Sequence, residues 1–153
     1  MSSTMRDHEP AIRRFFEAYQ ARMNDALKAP PRVDIPGALA AFAKYFVGSD
    51  PRRVSDGRNG WLLRFMIPRG YAFYRKIGTE RMEVRALKVT PLDDFHAMAK
   101  TSWWSSYRKK SGERVEIEFD NIYLLRIPDG HAPEIFAYVT GDEQQVLKDH
   151  GLV

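Results

Sequence analysis

Seven aromatic side chains carry the main chemical signal of this sequence, because together they could line a pocket for a small molecule. On the predicted helices and strands they occupy inward-facing positions. They are Tyr19, Trp61, Tyr74, Trp103, Tyr107, Phe119 and Tyr123. Ligand pockets are mostly apolar with a few polar groups, and phenols and indoles supply both. The same residues could instead fill an ordinary core, so both interpretations stay open.

Ionisable residues suited to acid–base or metal chemistry are few on the predicted inner surface. The inward positions from Val115 to Ile127 include Asn121 but no carboxylate, and Asp120 faces outward. His96 is expected on the outer face. Three histidines near termini or turns are expected to be solvated: His8, His131 and His150. No spacing of His, Asp and Glu resembles a metal site, and no Gly-rich loop marks a nucleotide site, so no metal and no cofactor are expected.

The first half of the chain is predicted to be helical. Apolar residues at intervals of three and four predict an amphipathic helix near 9–28. A second, shorter helix is predicted to start near Pro36. Its apolar positions are Leu39, Phe42, Ala43 and Phe46. Residues 48–60 are rich in Ser, Asp, Pro and Gly and are expected to form a loop. A third helix is predicted near 59–77, kinked at Pro68 because proline cannot donate to the helical ladder.

The second half alternates between apolar and polar residues, which predicts consecutive antiparallel strands over 80–90, 95–108 and 113–127. Short turns would set Thr90 opposite Phe95 and would bring Arg108 near Arg114. These registers bring three apolar sets onto one face. The sets are Met82, Val84 and Ala86; Phe95, Ala97, Ala99, Trp103 and Tyr107; and Val115, Ile117, Phe119, Tyr123, Leu125 and Ile127. A fourth strand is predicted over 134–140, and its inward face is left open.

The last residues predict a short helix with recognisable ends. Thr140 and Glu143 match a capping box, in which each side chain satisfies a backbone N–H of the other residue. Val146 and Leu147 would face the core. Gly151 is suited to the end of this helix because it tolerates a left-handed backbone.

Helices followed by a bent antiparallel sheet predict an α+β domain in which helices cover one sheet face. The chain resembles the nuclear-transport-factor-2-like superfamily, which includes SnoaL-like cyclases, ketosteroid isomerases and scytalone dehydratases. The resemblance rests on the first helix through Phe16 and Tyr19 and on the runs 70–78, 102–104 and 119–125. It implies a cystatin-like cone of three helices on a strongly bent sheet, closed by a short helix. The isomerase pattern also needs an aspartate on an early strand, whereas Asp50 and Asp56 fall in the predicted loop.

Length and composition set broad limits on the class of protein. The 153 residues are expected to form one domain, 1–153, and the absence of cysteine excludes disulfides and thiolate chemistry. The net charge of +4 comes from basic residues spread along the chain, so no nucleic acid is expected as a partner. No apolar run is long enough to span a bilayer and no secretory signal is evident, so no membrane partner and a cytoplasmic location are expected.

The predicted outer sheet face carries apolar residues among charged ones, which is typical of an interface. These apolar residues are Leu87, Val89, Met98, Trp104, Ile122 and Leu124. They predict a two-fold homodimer packed sheet to sheet.

Three functions remain open from the sequence. The first is a protein that binds a small, largely apolar molecule between helices and sheet. The second is a cofactor-independent isomerase, cyclase or dehydratase that works by general acid–base catalysis. The third is a non-catalytic dimeric interaction module with a filled core. The scarcity of inward carboxylates disfavours the second function, while a real cavity would disfavour the third.

Overall fold

The computed structural model describes residues 6–153 and shows the predicted α+β architecture, with helices followed by a curled sheet and a short C-terminal helix. The helices are α1 Glu9–Ala26, α2 Ile35–Ala40, α3 Trp61–Lys76 and α4 Glu143–Asp149. The strands are β1 Phe42–Ser49, β2 Val54–Arg58, β3 Thr79–Pro91, β4 His96–Arg108, β5 Arg114–Arg126 and β6 Glu134–Val139. The strand order is β2-β1-β6-β5-β4-β3, and only the β1–β6 pair among these is parallel. None of the described helices is long and apolar enough to cross a membrane.

An early hairpin replaces part of the predicted second helix and the predicted loop. The helix α2 ends at Ala40, and Phe42, Ala43 and Phe46 belong to β1. The predicted loop contains β2, which pairs with β1 through Phe46 and Gly57. A Cβ atom on Gly57 would collide with the Phe46 ring, so this glycine makes room for an aromatic side chain within a strand. The helical prediction was wrong here because apolar residues four apart also occur in this half-buried strand.

The long hairpin of β4 and β5 has the predicted register. Arg108 lies opposite Arg114, and Trp103 lies opposite Phe119. The inward positions alternate along both strands and are largely buried, as alternation in a half-buried sheet requires. Phe95 lies before β4 and is exposed, so it does not belong to the predicted inner set.

A bulge in β3 changes which of its residues face the core. Thr90 pairs with Met98 rather than Phe95, and the register shifts between Val84 and Ala86. A bulge adds one residue to one strand, so every side chain beyond it changes face. Ala86 is therefore exposed on the outer side instead of the inner one.

Because of the same bulge, two residues predicted on the outer face lie on the inner face instead. Leu87 and Val89 pair with the inward-facing Thr101 and Ala99, and both pack against the main core cluster. They are therefore core residues rather than members of an exposed interface. The outer face retains Met98, Ile122 and Leu124, which are half-buried, whereas Trp104 on the same face is buried.

Helix α1 is attached to the β3 edge near this bulge by side-chain amides. Asn24 accepts a bond from the Met82 backbone N–H at 2.9 Å and donates one to the Met82 carbonyl at 2.8 Å. Gln20 accepts from the Val84 N–H at 2.8 Å. These bonds satisfy backbone groups that an edge strand would otherwise leave unpaired. They also fix α1 over the sheet, with Tyr19 directed inward.

An irregularity in the pairing of β5 with β6 shows which side chains of β6 face inward, a question that the sequence leaves open. Ile135 pairs with Leu125 and Tyr138 pairs with Tyr123, with one additional residue of β6 between these pairs. Both Ile135 and Tyr138 therefore face inward.

The predicted end of helix α4 at Gly151 is confirmed. Gly151 has a φ of 72°, and the Leu152 N–H donates to the Leu147 carbonyl at 2.9 Å.

The interior consists of two apolar clusters at opposite ends of the curled sheet. The larger cluster joins α1 to the sheet through Phe16, Leu125 and Ile135. The smaller one joins α4 to the sheet through Leu147 against Tyr107 and Ile117.

His8 lies at the start of α1 and is buried rather than solvated. Its Nε2 atom lies 2.9 Å from the Asp93 carbonyl, so this histidine fixes the start of α1 to the β3–β4 turn.

Candidate functional site

A cavity of about 150 Å³ lies where the two apolar clusters meet, beneath α1 and α4 and against β4 and β5. An apolar cavity of about this volume can hold a single benzene-sized ring. Six of the seven predicted aromatic residues line it: Tyr19, Tyr74, Trp103, Tyr107, Phe119 and Tyr123. Residues outside the predicted set complete the lining: Met23, Met82, Ile117, Asn121, Thr140, Gly141, Asp142, Glu143, Val146 and Leu147.

The aromatic wall of the cavity is a set of rings in mutual contact. The rings of Trp103 and Phe119 are stacked, 6.3 Å apart and 7° from parallel. Their opposite positions in β4 and β5 fix this arrangement. Tyr19 reaches from α1 to within 6.0 Å of the Trp103 ring and 6.4 Å of the Tyr123 ring. This rigid wall would contact the face or edge of an apolar ligand.

The tyrosines of this wall are held in their neutral form. Burial is the largest cause that raises the pKa of Tyr19, Tyr123 and Tyr107, and it raises that of Tyr19 most clearly. A buried phenolate would lose its hydration, so the protonated form is favoured at neutral pH and well above it. The cavity therefore presents neutral O–H groups, which suit a ligand that carries a carbonyl, ether or hydroxyl oxygen.

The Asn121 amide orients the Tyr123 hydroxyl at the cavity wall, and the Trp103 indole lies beside it. The Asn121 amide donates to this hydroxyl across 3.3 Å, and the Trp103 indole N–H lies close enough to oppose the rise in the pKa of Tyr123. The indole N–H itself is buried and does not reach hydrogen-bonding geometry with any described residue. Because the hydroxyl oxygen is approached by donors, its proton remains available to a ligand.

Two carboxylates, Asp142 and Glu143, line the rim of the cavity at the start of α4, and neither lies on a strand. The Tyr74 hydroxyl donates to Glu143 Oε1 at 2.5 Å, which joins α3 to α4 across the rim. Burial raises the pKa of Tyr74 well above its usual value, and the neighbouring carboxylate raises it further. The short O–H···O⁻ distance is that of a charge-assisted bond.

The predicted capping box at the start of α4 is wrong. Asp142 rather than Thr140 caps α4, since its carboxylate accepts from the Gln145 N–H at 3.1 Å. The bonds from Arg52, at 2.9 Å, and from Gln145 lower the pKa of Asp142. Glu143 is therefore free of a capping role and can face Tyr74. The capping-box pattern concealed it, because that pattern assigns the Glu143 carboxylate to the backbone.

The other acidic and histidine candidates lie away from the cavity. Asp56 is exposed on β2, and Asp50 accepts bonds from the Arg52 and Arg53 N–H groups in the β1–β2 turn. His96 bonds Asp93 across 2.8 Å on the outer side of the sheet. Among residues 6–153 no cluster of three or more His, Cys, Asp or Glu side chains could hold a metal ion.

Trp61 does not join the other predicted aromatic residues. It is the first residue of α3 and is 80% exposed, on a surface outside the cavity. The predicted helix is correct, but periodicity does not show which side of α3 faces the sheet.

Comparison with known proteins gives a likeness in structure alone. No family model matches the chain, and no curated protein matches its sequence. A ketosteroid isomerase-like protein from Erwinia carotovora atroseptica is 17% identical with a TM-score of 0.56, covering 87% of this chain and 91% of that one. An NTF2-like protein with a cystatin-like fold from Novosphingobium aromaticivorans is 11% identical with a TM-score of 0.65, covering 95% of this chain and 88% of that one.

A third similar structure is described as an NTF-2 like protein of unknown function, from Shewanella oneidensis. It is 10% identical with a TM-score of 0.61, and the match covers 89% of this chain and 100% of that one. Identities this low establish the fold and no activity. The resemblance seen in the sequence is therefore confirmed at the level of the fold: the chain has the nuclear-transport-factor-2-like, cystatin-like architecture.

Proposed function

We propose that this protein binds a small, largely apolar molecule with one ring seated in the cavity and one oxygen acceptor facing the phenols. The observation that carries this proposal is the 150 Å³ cavity walled by Tyr19, Trp103, Phe119 and Tyr123. Packed interiors rarely keep voids of this size, so an apolar cavity with unused donors favours a ligand. The cavity weighs against the alternative of an interaction module with a filled core.

The test compares two probes that differ in one carbonyl group, toluene and acetophenone. Binding to the native state raises the melting temperature, and a ligand at a hundred times its Kd stabilises by about 2.7 kcal/mol. We expect both probes to raise the Tm, with the ketone more effective. In Tyr123→Phe the advantage of the ketone should shrink while the effect of toluene persists. If no ring compound of this size changes either the Tm or the Trp103 emission, the proposal is wrong.

A second candidate function is general acid–base catalysis, and the Tyr74–Glu143 contact favours it. Glu143 would take a proton from the carbon next to a ligand carbonyl, and the neutral phenols would donate to the developing oxyanion. The proton then returns to another carbon, which leaves the atoms of the substrate rearranged but balanced. No cofactor is needed for such an isomerisation.

Catalysis of this kind is tested by hydrogen–deuterium exchange at carbon. In D₂O the protein should catalyse exchange next to the carbonyl of acetophenone, followed by NMR. Removing a general base lowers a rate by roughly 10²–10⁴-fold, so Glu143→Gln should slow the exchange by about this factor. Glu113→Gln, at an exposed turn position, is the control. Binding without exchange would support the first function alone.

We further propose a homodimer through the outer sheet face, centred on Met98, Ile122 and Leu124. These side chains form adjoining cross-strand positions, with Met98 opposite Leu124 and Trp104 farther along β4. Arg85 covers part of Trp104, with its guanidinium 4.1 Å from the ring centroid. Light scattering should report a dimer at micromolar concentration. The double variant Ile122→Arg, Leu124→Arg should be a monomer, and a monomeric natural protein would contradict the proposal.

A further inference from the structure

Helix α3 carries a second apolar side that faces away from the protein. Five large apolar residues on it are more than two-fifths exposed, and we call them the α3 surface: Trp61, Leu62, Phe65, Met66 and Phe73. The helix has no fully buried residue. A helix of a soluble protein normally exposes its polar side, so this arrangement is not explained by folding alone.

The opposite side of the same helix already supplies its contacts with the rest of the protein. Leu63, Ile67 and Tyr71 line the cleft that α3 shares with α1 and α2. Arg75 donates to the Ala26 carbonyl at 2.8 Å and fixes the end of α3 to the end of α1. The attachment of α3 therefore does not require the α3 surface, which remains available to a partner.

The exposed apolar patch extends from α3 onto the first hairpin. Tyr45 and Val47 of β1 line the same groove as Trp61 and Leu62. Val54 at the start of β2 is 70% exposed.

Basic residues occur throughout the chain, but the net positive charge arises in this part of it, where few acidic residues accompany them. Residues 44–76 contain eight Lys and Arg against two Asp, whereas the whole chain has 24 Lys and Arg against 20 Asp and Glu. This segment thus has a net charge of +6, and the rest of the chain is net negative. The helix α3 itself contains four basic residues and no acidic one.

The positive side chains around the α3 surface are not neutralised by the protein. Within residues 6–153, Arg52 is the only basic residue of this segment that forms an ion pair, with Asp142. The Arg69 guanidinium lies 4.2 Å from the centroid of the Phe65 ring. Arg58 lies over the Tyr45 ring, 5.6 Å from its centroid. Cationic groups are therefore interleaved with exposed rings, and their charge is presented to solvent.

We infer that the α3 surface binds the surface of an anionic lipid bilayer, with α3 lying in the interface. Interfacial helices combine Trp, Phe and Leu with Arg and Lys, and anionic lipids attract the basic residues. Nucleic acid would match the charge and the rings but would leave Leu62, Met66 and Val54 without an apolar partner. A second copy centred on this surface would place like charges opposite each other.

This inference replaces the expectation that the protein has no membrane partner. That expectation rested on the absence of a spanning run, and interfacial binding needs none. It is also independent of the cavity, so failure of either proposal leaves the other in place.

The experiment is co-sedimentation of the whole chain with vesicles of phosphatidylcholine mixed with phosphatidylglycerol, compared with phosphatidylcholine alone. We expect binding to the anionic vesicles that weakens as salt is added. Phe65→Ser with Met66→Ser should lower the binding constant on the order of tenfold, and Arg64→Gln with Arg69→Gln by at least as much. Leu92→Ser is the matched control, because Leu92 and Met66 are both 51% exposed.

Trp61 gives a second readout that does not depend on sedimentation. Its emission should shift to shorter wavelength on anionic vesicles, and the shift should disappear in Trp61→Phe. Trp103 and Trp104 are buried and should report little change.

Three results would overturn the inference. One is that the natural protein does not bind anionic vesicles at low salt. Another is that the α3 variants bind these vesicles as tightly as the natural protein does. The third is that Phe65→Ser with Met66→Ser changes the oligomeric state of the protein, or removes its binding to an oligonucleotide while the natural protein does not bind vesicles. That result would assign the surface to a second copy or to nucleic acid.

Discussion

The cavity and the α3 surface are both rich in aromatic residues, yet they differ in almost every physical respect. Trp103 in the cavity wall is 3% exposed and stacks on Phe119, whereas Trp61 is 80% exposed. The cavity contains neutral phenols and the carboxylates of Asp142 and Glu143 at its rim, whereas the α3 surface is surrounded by arginines. Residue type alone therefore does not distinguish an aromatic cavity from an exposed aromatic surface. Burial and neighbouring charge distinguish them.

The largest expected contrast is in stability. Trp103→Ala should lower the free energy of unfolding by about 3–5 kcal/mol, because it removes a buried ring and leaves a void. Trp61→Ala should change it by no more than about 0.5 kcal/mol, as exposed substitutions do. Urea unfolding of the two variants measures both values. Similar losses of unfolding free energy in the two variants would mean that the cavity and the α3 surface do not differ in their contribution to stability.

The second contrast is in the response to alkaline pH, and it concerns the buried phenols of the cavity rather than the α3 surface. Their folded-state pKa is raised above the usual 10.0, so the folded protein keeps protons that the unfolded chain releases above that pH. Their contribution to stability is complete below pH 10 and is lost as pH rises through the raised pKa. Each such phenol makes the unfolding free energy fall by up to about 1.4 kcal/mol per pH unit.

Urea unfolding at pH 8 to 11 tests this dependence. Tyr19→Phe should reduce the loss of stability per pH unit. Phe16→Leu, a packing control without a phenol, should lower stability by a similar amount at every pH. An unchanged slope in Tyr19→Phe would mean that this hydroxyl is hydrated in the folded protein.

A smaller effect is expected at the rim. Tyr74→Phe removes the bond to Glu143 and should cost about 1 kcal/mol, since the contact is partly open to solvent. Tyr71→Phe, on the same helix, should cost less because no hydrogen bond of its hydroxyl to a described residue is present. Equal losses would show that the Tyr74–Glu143 bond contributes nothing net.

The smallest effect belongs to the α3 surface. Phe65→Ser with Met66→Ser should change the unfolding free energy by less than about 0.5 kcal/mol for each substitution. Thermal unfolding measures this value. A large loss would mean that these side chains support the fold and are not reserved for a partner.

The sequence was sufficient for the parts of the fold in which periodicity and burial agree. The register of β4 with β5 follows from alternation and one turn, and α1 follows from its apolar spacing. The first hairpin was missed because β2 is exposed along most of its length and so has no apolar alternation. The prediction for Leu87 and Val89 was wrong because the alternation of apolar and polar residues does not reveal a single bulged residue.

The site is likewise predictable from the sequence only in part. Six of its aromatic residues were named from inward positions. Glu143 was missed because its contact with Tyr74 joins elements 69 positions apart in the chain. Local patterns describe neighbours along the chain, and contacts of this kind depend on how α3 and α4 meet in space.

The strand order has a consequence for how the chain folds. Strand β1 completes its pairing only with β6, since Phe42 lies opposite Ile135, roughly 90 residues later. Closing so long a loop costs entropy before the pairing returns any stability. During synthesis the first hairpin must therefore wait, with one strand edge unpaired, until nearly the whole sheet has been made. We expect folding in milliseconds to seconds, limited by this closure, and a chain that is most exposed to misassociation just before β6 is released.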